Sequence, residues 1–164
     1  MTGRMRRAFE PGHSPKFLVV IDESTECGRA VRFAARRVLR TGARLMMLSV
    51  IDASDFQHWL GVGDIMKREA RERAEALIDS HVAACRQLGD ARCERMVRTG
   101  VKLDEIVKLI EEDEDIAYLT LASGTGSEGP GPLVSLIGRN SQVFPVPVVI
   151  VPGALSDAEI DALA

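Results

Sequence analysis

The strongest constraint on the fold is an unbroken apolar run near the start of the chain, Phe17–Ile21. The run does not alternate apolar with polar residues, so a strand formed by it must be buried on both faces, as in a parallel sheet. Helical patterns separate it from the four later runs with strand character: Leu45–Ile51, Cys93–Arg98, Ile116–Ala122 and Val146–Val151. Because strand and helix alternate, we predict a doubly wound, five-stranded α/β fold with helices on both faces of the sheet.

The segments between these runs carry helix signals. Ser24 is predicted to cap the first helix, and Gly42 is predicted to end it. An apolar stripe over Ile65–Cys85 predicts a second helix, and Leu103–Ile110 predicts a third. A short fourth helix is predicted between the glycine-rich stretch and the last strand-like run.

The length of 164 residues fits one domain with additions at its two ends. Residues 1–15 contain several arginines and few apolar side chains, so we expect a disordered basic arm. Residues 16–153 are expected to form the α/β domain. In residues 154–164, Ser156 and Glu159 have the spacing of a capping box, which predicts a short C-terminal helix.

Composition excludes several classes of function. The net charge is −3, which gives no reason to expect nucleic-acid binding. No apolar run approaches the roughly 20 residues that span a membrane. The three cysteines, Cys27, Cys85 and Cys93, include no Cys-x-x-Cys pair, so neither a metal cluster nor a disulfide framework is predicted. Free thiols indicate a reducing, cytoplasmic location.

Candidate functional residues lie where strands are predicted to end. Asp22 and Asp52 each follow a strand, and the glycine-rich stretch Ser123–Gly131 follows the fourth strand. Ligands in doubly wound folds bind at this edge of the sheet. A glycine loop before a helix suits a phosphate group, although a mobile connecting loop has the same composition.

The catalytic patterns that this edge could carry are incomplete. A receiver domain needs an aspartate after the third strand, where Val97-Arg98-Thr99 stands, and a lysine after the fifth strand, where Pro152-Gly153 stands. A nucleoside triphosphatase of the Walker type needs Gly-Lys-Ser/Thr at the start of a helix, and the sequence has no such triplet. No nucleophile pairs with a base, so no catalytic residue and no metal ligand is assigned. His58, beside Trp59, either shapes a pocket or lies in a surface loop.

The order of these motifs resembles the universal stress protein family over Phe17–Pro152. The resemblance rests on apolar strands that end at Asp22 and Asp52, on Gly100 after the third strand, and on Gly126-x-x-Gly129 followed by Gly138. It implies a parallel sheet with strand order 3-2-1-4-5. It also implies a cytoplasmic stress-response protein that forms a homodimer through Val146–Val151 and acts on an unidentified protein partner.

One branch of that family binds ATP, with magnesium held through the phosphates. The resemblance then implies a nucleotide site at Asp22, Val50, Gly126, Gly129, Gly138, Arg139 and Ser141. The loop departs from the family pattern, because one residue is missing before Gly138 and Arg139 replaces a serine or threonine. Two functions therefore remain open: a regulator that binds ATP or a related adenine nucleotide, and a homodimeric partner-binding domain with a vestigial pocket.

Overall fold

The computed structural model describes residues 5–56 and 63–164 and contains the predicted five-stranded parallel sheet with strand order 3-2-1-4-5. The histidine and tryptophan at positions 58 and 59 lie outside the described residues. The strands are β1 (Lys16–Val20), β2 (Arg44–Asp52), β3 (Cys93–Gly100), β4 (Ile116–Ser123) and β5 (Val148–Pro152). The helices are α1 (Cys27–Thr41), α2 (Gly63–Leu88), α3 (Lys102–Glu112), α4 (Pro132–Arg139) and α5 (Asp157–Leu163). Across the described part of the chain, every helix is too short or too polar to span a lipid bilayer.

Two apolar clusters lie on opposite faces of the sheet, as the unbroken apolar runs require. Alternate residues of β1 enter different clusters: Phe17 packs beneath α1 and α2, whereas Leu18 packs beneath α3 and α4. Both side chains are at most 1% exposed. A strand buried on both faces gains from apolar burial twice, which explains why β1 is central and β3, with its charged residues, lies at an edge.

The fifth strand begins later than the sequence predicts. We expected a strand from Val146, but β5 begins at Val148, after Pro147. Proline has no N–H to donate to a neighbouring strand, so pairing cannot be complete at that position. The Pro147 carbonyl still accepts a hydrogen bond from the Leu119 N–H at 3.0 Å, so the chain enters the sheet edge at that point.

The expectation of a disordered arm is wrong for residues 5–15, which lie against the end of α3. Ala8 is 5% exposed, and the Arg7 N–H donates to the Glu114 carbonyl at 3.1 Å. The Arg6 guanidinium donates to the carbonyls of Ile110 and Asp113. Backbone carbonyls at a helix C-terminus lack partners within the helix, so arginines near the terminus can satisfy them. The basic residues that suggested a free arm are the ones that attach it.

The C-terminal helix α5 is stabilised by a capping box at its N-terminus and by contacts with α1. The Ser156 hydroxyl accepts from the Glu159 N–H, and the Glu159 carboxylate accepts from the Ser156 N–H, so the predicted capping box is present. Ile160 is fully buried, and Asp161 accepts hydrogen bonds from Arg32 and Arg36 of α1. Helix α5 therefore packs along α1.

Candidate functional site

A cleft of about 460 Å³ opens beyond the carboxyl ends of β1, β2 and β4. The order of the strands reverses between β1 and β4, and doubly wound folds bind ligands at such a reversal. The volume is within the usual range for a small-molecule site. The lining residues are Val20, Asp22, Ser24, Glu26, Cys27, Asp52, Lys102, Leu121, Ala122, Pro130, Gly131, Pro132, Leu133, Val134 and Leu136.

Two aspartates at the cleft are held by the same local structure. The Asp22 Oδ1 atom accepts hydrogen bonds from the N–H and the hydroxyl of Ser24, with an N–O distance of 2.9 Å. Asp52 Oδ1 accepts the corresponding pair from Ser54, at 2.9 and 2.7 Å. Each turn uses one carboxylate oxygen and fixes the direction of the other. These hydrogen bonds hold the pKa of Asp52 below its usual value, and the positive charge of Lys102 adds to the shift.

The turn at Asp22 corrects the prediction that Ser24 caps α1. Helix α1 begins at Cys27, its N-cap is Glu26, and no side chain caps it. Ser24 donates to Asp22 instead, because a serine two residues after an aspartate can close a turn on the carboxylate. Ser24 therefore closes a turn on Asp22 and does not cap α1, and both residues line the cleft.

Lys102 is the site residue that sequence reasoning missed. It is the first residue of α3, two positions after the end of β3, and it is half-buried. The register pairs Gly100 of β3 with Asp52 of β2, which brings the start of α3 to the edge where Asp52 lies. Lys102 is the one basic residue among the described residues that line the cleft. Its position after a strand was a usable signal, although a single lysine forms no motif.

The glycine loop closes one side of the cleft and uses part of its own hydrogen-bonding capacity. The Gly124 N–H donates to the Pro130 carbonyl at 3.0 Å, and the Gly129 N–H donates to the Gly126 carbonyl at 3.3 Å. Gly129 has φ +98°, a conformation that favours glycine. Gly131 has φ +103° and is the N-cap of α4. Two of the three predicted glycines, Gly126 and Gly129, lie in the exposed part of this loop and do not line the cleft.

Three further predicted site residues are not brought to the cleft. Gly138 and Arg139 end α4, and Ser141 lies in the turn after it. The rise of 1.5 Å per residue separates them from the start of the helix by about 10 Å. The resemblance assigned Gly138 to the nucleotide-binding loop, whereas Gly138 lies in the last turn of α4, Gly131 is the N-cap and Pro132 begins the helix. Proline is common at the first helical position because an N–H at that position has no partner within the helix, so nothing is lost when the N–H is absent.

The remaining predicted residues divide between the cleft and the core. Asp22 lines the cleft. Val50 lies near the carboxyl end of β2, but its side chain is 9% exposed and packs in the core. Within residues 5–56 and 63–164, no group of three acidic, histidine or cysteine side chains is arranged to hold a metal ion.

The sequence model of the universal stress protein family matches residues 14–152. The chain is also similar to solved structures, among them the hypothetical protein MJ0577, with 19% identity, a TM-score of 0.71, and coverage of 87% of this chain and 98% of that one. A second is UspA from Lactobacillus plantarum, with 18% identity, a TM-score of 0.64, and coverage of 84% and 97%. At these identities the structures establish the fold. No curated protein sequence matches the chain.

Some similar structures contain adenine nucleotides. They are a universal stress protein in complex with cAMP, the Archaeoglobus fulgidus protein in complex with dAMP, and an Arabidopsis thaliana family protein with AMP bound. Their identities to this chain lie between 16% and 18%, and their TM-scores lie between 0.57 and 0.62. They cover 84% to 85% of this chain and 91% to 98% of their own chains. Since the family model spans most of the sequence and the predicted sheet is present, this chain belongs to the universal stress protein family.

Proposed function

We propose that the chain is a regulator of the stress response that binds an adenine nucleotide in the cleft. The observation that carries the proposal is the position of Asp22 in a cavity of about 460 Å³ at the reversal of strand order. Similar structures that contain cAMP, dAMP and AMP support the choice of adenine compounds. The cytoplasmic location indicated by the free thiols stays a prediction.

Asp22 supplies the polar contact in this proposal. Its Oδ1 atom is occupied by Ser24, and within the described part of the chain its Oδ2 atom has no hydrogen-bond donor. A carboxylate oxygen held in this way accepts hydrogen bonds from the hydroxyl groups of a ribose or from an exocyclic amine. The acceptor is oriented before the ligand arrives, which lowers the entropy cost of binding.

Apolar side chains supply the surface for the base. Val20, Leu121 and Val134 line the cleft behind Asp22, and each is at most 9% exposed. A purine ring is flat and weakly hydrated on its faces, so contact with aliphatic side chains removes apolar surface from water. The combination of an apolar wall and one fixed acceptor fits a nucleoside, and the phosphates would then extend toward Lys102 and the glycine loop.

Binding is tested by extracting the purified protein with acid, separating the released nucleotides by chromatography, and titrating the protein by calorimetry. ATP with magnesium, the specific ligand predicted from the resemblance, is included in the titrations. Asp22→Ala should weaken adenosine binding by about 1.5–3 kcal/mol, the value of a hydrogen bond to a charged group. Glu23→Ala is the matched control, since Glu23 is exposed beside the cleft without lining it. The proposal fails if no adenine compound binds at millimolar concentration.

The second candidate function is a homodimer that binds a protein partner and needs no nucleotide. Strand β5 lies at the edge of the sheet, and Ile150 in its middle is 45% exposed. An apolar edge strand presents unpaired backbone groups that a second chain can cover. Both functions are compatible with a dimer, but only this one survives an absence of nucleotide binding.

Dimer formation is measured by sedimentation velocity at micromolar concentration. We expect the wild type to sediment as a dimer and Ile150→Lys to sediment as a monomer, because a lysine at the covered edge would lose its hydration. Val143→Lys is the control, since Val143 is 80% exposed and lies outside β5. If the wild type sediments as a monomer, the proposed homodimer is wrong.

A further inference from the structure

We infer that the cleft selects adenine compounds with at most one phosphate over ADP and ATP. This inference rests on the proposed function, because it concerns the same cleft and the same class of ligand. It follows from three features of the cleft: the charges on its lining, the small number of hydrogen-bond donors that the glycine loop offers to phosphates at the cleft, and the close packing at the base of that loop.

The described lining of the cleft is acidic. Asp22, Glu26 and Asp52 contribute three carboxylates, and Lys102 contributes one ammonium group. The hydrogen bonds from Ser54 lower the pKa of Asp52, so this carboxylate is ionised at neutral pH. A triphosphate would bring three to four further negative charges into this surface. Adenosine is uncharged, and cyclic AMP carries a single negative charge that Lys102 can balance.

Lys102 is placed to meet one phosphate group. It begins α3, where the partial positive charge of the helix N-terminus adds to that of the ammonium group. The register pairs Asp52 with Gly100, two residues before Lys102, and the positive charge of Lys102 already contributes to the lowered pKa of that carboxylate. The described residues that line the cleft provide no second cation for a β- or γ-phosphate. Arg139, which the sequence suggested for that purpose, lies at the far end of α4.

The glycine loop offers few free donors to a chain of phosphates. The N–H groups of Gly124 and Gly129 donate within the loop, to the carbonyls of Pro130 and Gly126. Pro130 and Pro132 have no N–H at all. Phosphate-binding loops act by directing several successive N–H groups at the ligand. Four of the nine positions from Gly124 to Pro132 are therefore unable to contribute. Of the three positions in this range that line the cleft, only Gly131 has an N–H.

The loop is also held in place on its inner side. Gly153 follows β5, and its N–H donates to the Ser123 carbonyl at 3.0 Å. A Cβ built on Gly153 would lie 2.4 Å from the Ser123 oxygen and 3.1 Å from the Cβ of Glu26. The loop base therefore packs directly on Glu26. A larger phosphate-binding loop would require Gly153 to move away from Ser123 and Glu26. It would also place the phosphates close to the Glu26 carboxylate.

The test is a calorimetric titration of the full chain with adenosine, cyclic AMP, AMP, ADP and ATP at constant ionic strength. Repulsion between two unit charges about 4 Å apart in water corresponds to a factor of about five in a binding constant. We therefore expect ATP to bind at least about tenfold more weakly than AMP, with ADP between them. The difference should shrink as salt is raised from about 0.05 M to 0.5 M, because salt screens the repulsion. Parallel titrations with magnesium chloride measure how far a cation bound to ATP offsets the repulsion.

Three variants assign the selectivity to its residues. Glu26→Gln and Asp52→Asn each remove one carboxylate, so each should raise ATP affinity about fivefold relative to adenosine affinity. Lys102→Met should lower the affinity for cyclic AMP and AMP more than that for adenosine. Glu72→Gln removes a carboxylate from the exposed face of α2 and should leave the ratio of ATP to adenosine affinity unchanged.

The outcomes separate the inference from the proposed function. If ATP, with or without magnesium, binds as tightly as AMP or more tightly, the selectivity is wrong and the nucleotide site stands. If Glu26→Gln and Asp52→Asn change the ratio no more than Glu72→Gln does, the lining charges do not cause the selectivity and the inference is overturned. If no adenine compound binds, the proposed function is overturned together with the inference.

Discussion

Arg32 and Asp161 form a two-point ion pair between α1 and the C-terminal helix. Arg32 Nε lies 2.8 Å from Asp161 Oδ1, and a terminal nitrogen of the same guanidinium lies 2.7 Å from Oδ2. Arg36 makes a second two-point pair with the same carboxylate, at 2.9 and 2.8 Å. One carboxylate shared by two planar guanidinium groups orders both arginines at once. The pair therefore fixes α5 in position along α1.

We expect Asp161→Asn to lower the melting temperature more than Asp79→Asn does. Asp79 makes one contact of 2.7 Å with Arg95 on an exposed surface, and isolated surface pairs contribute little. Asp161 joins a network in which the arginines are already ordered. Thermal unfolding followed by circular dichroism compares the two variants. Equal shifts for both would show that the network adds nothing beyond an ordinary surface pair.

The same carboxylate should make stability depend on pH in the acid range. The hydrogen bonds from Arg32 and Arg36 hold the pKa of Asp161 well below its usual value. Because the folded pKa is depressed, the contribution to stability is present above the unfolded value of about 3.9 and is lost as pH falls below it. The difference in urea midpoint between wild type and Asp161→Asn should therefore be constant above about pH 5 and shrink below about pH 4. A difference that is unchanged at pH 3 would contradict the shift.

Removal of residues 1–13 should destabilise the domain. The deleted segment contains Ala8, which is 5% exposed, and His13, whose Nδ1 atom lies 2.6 Å from Asp115 Oδ1. Its loss also leaves carbonyls at the end of α3 without the Arg6 guanidinium. We expect a decrease in melting temperature of more than a few degrees, which corresponds to about 1 kcal/mol or more for a domain of this size. An unchanged melting temperature would show that the segment is attached without stabilising the fold.

The sheet could be predicted from the sequence because its signals are local. Unbroken apolar runs such as Phe17–Ile21 have one stable environment, and the aspartate that ends such a run must lie at the sheet edge. Gly138 was assigned to the nucleotide site because the family spacing pointed to it, while Gly131-Pro132 carried the local signal of a helix start that places Gly138 at the far end of α4. Lys102 was missed because its place at the cleft depends on the register between β2 and β3, and no single segment contains that register.

Cys93 should be the most reactive of the three cysteines. It is half-buried, its thiol donates to the Ala91 carbonyl at 3.4 Å, and it packs against the apolar cluster that contains Cys85. A hydrogen bond from Cys85 and the positive charges of Arg95 and Arg86 lower the pKa of Cys93, whereas burial raises the pKa of Cys27 to about 11. With iodoacetamide at pH 7.5, peptide mass spectrometry should show alkylation at Cys93 at least about tenfold faster than at Cys27. As pH is raised, the alkylation rate of Cys93 should reach half of its maximum at a pH lower than about 8.5, the pKa of free cysteine. Cys93→Ser should remove the fast phase, and a fast phase that survives it would place the reactive thiol elsewhere.

The last prediction concerns the glycine on which the loop base closes. A Cβ at Gly153 would meet the Ser123 carbonyl oxygen at 2.4 Å, and that oxygen belongs to the backbone of β4, which cannot rotate away. Gly153→Ala should therefore lower the free energy of unfolding by about 1–3 kcal/mol, the usual cost of overpacking. It should also weaken adenosine binding, because the displaced loop base carries Glu26 and Pro130 with it.

Gly28→Ala is the matched control for Gly153→Ala. Gly28 lies in α1 with no atom within 4 Å of an added Cβ, so alanine should stabilise the helix by about 0.5–1 kcal/mol. If steric contact at the loop base decides the outcome, urea unfolding should show a lower free energy of unfolding for Gly153→Ala and a higher one for Gly28→Ala. If Gly153→Ala is as stable as Gly28→Ala, β4 and β5 can separate at that point without cost. The loop base would then be too loosely packed to limit the size of the phosphate site, and the steric part of the selectivity against ATP would be lost.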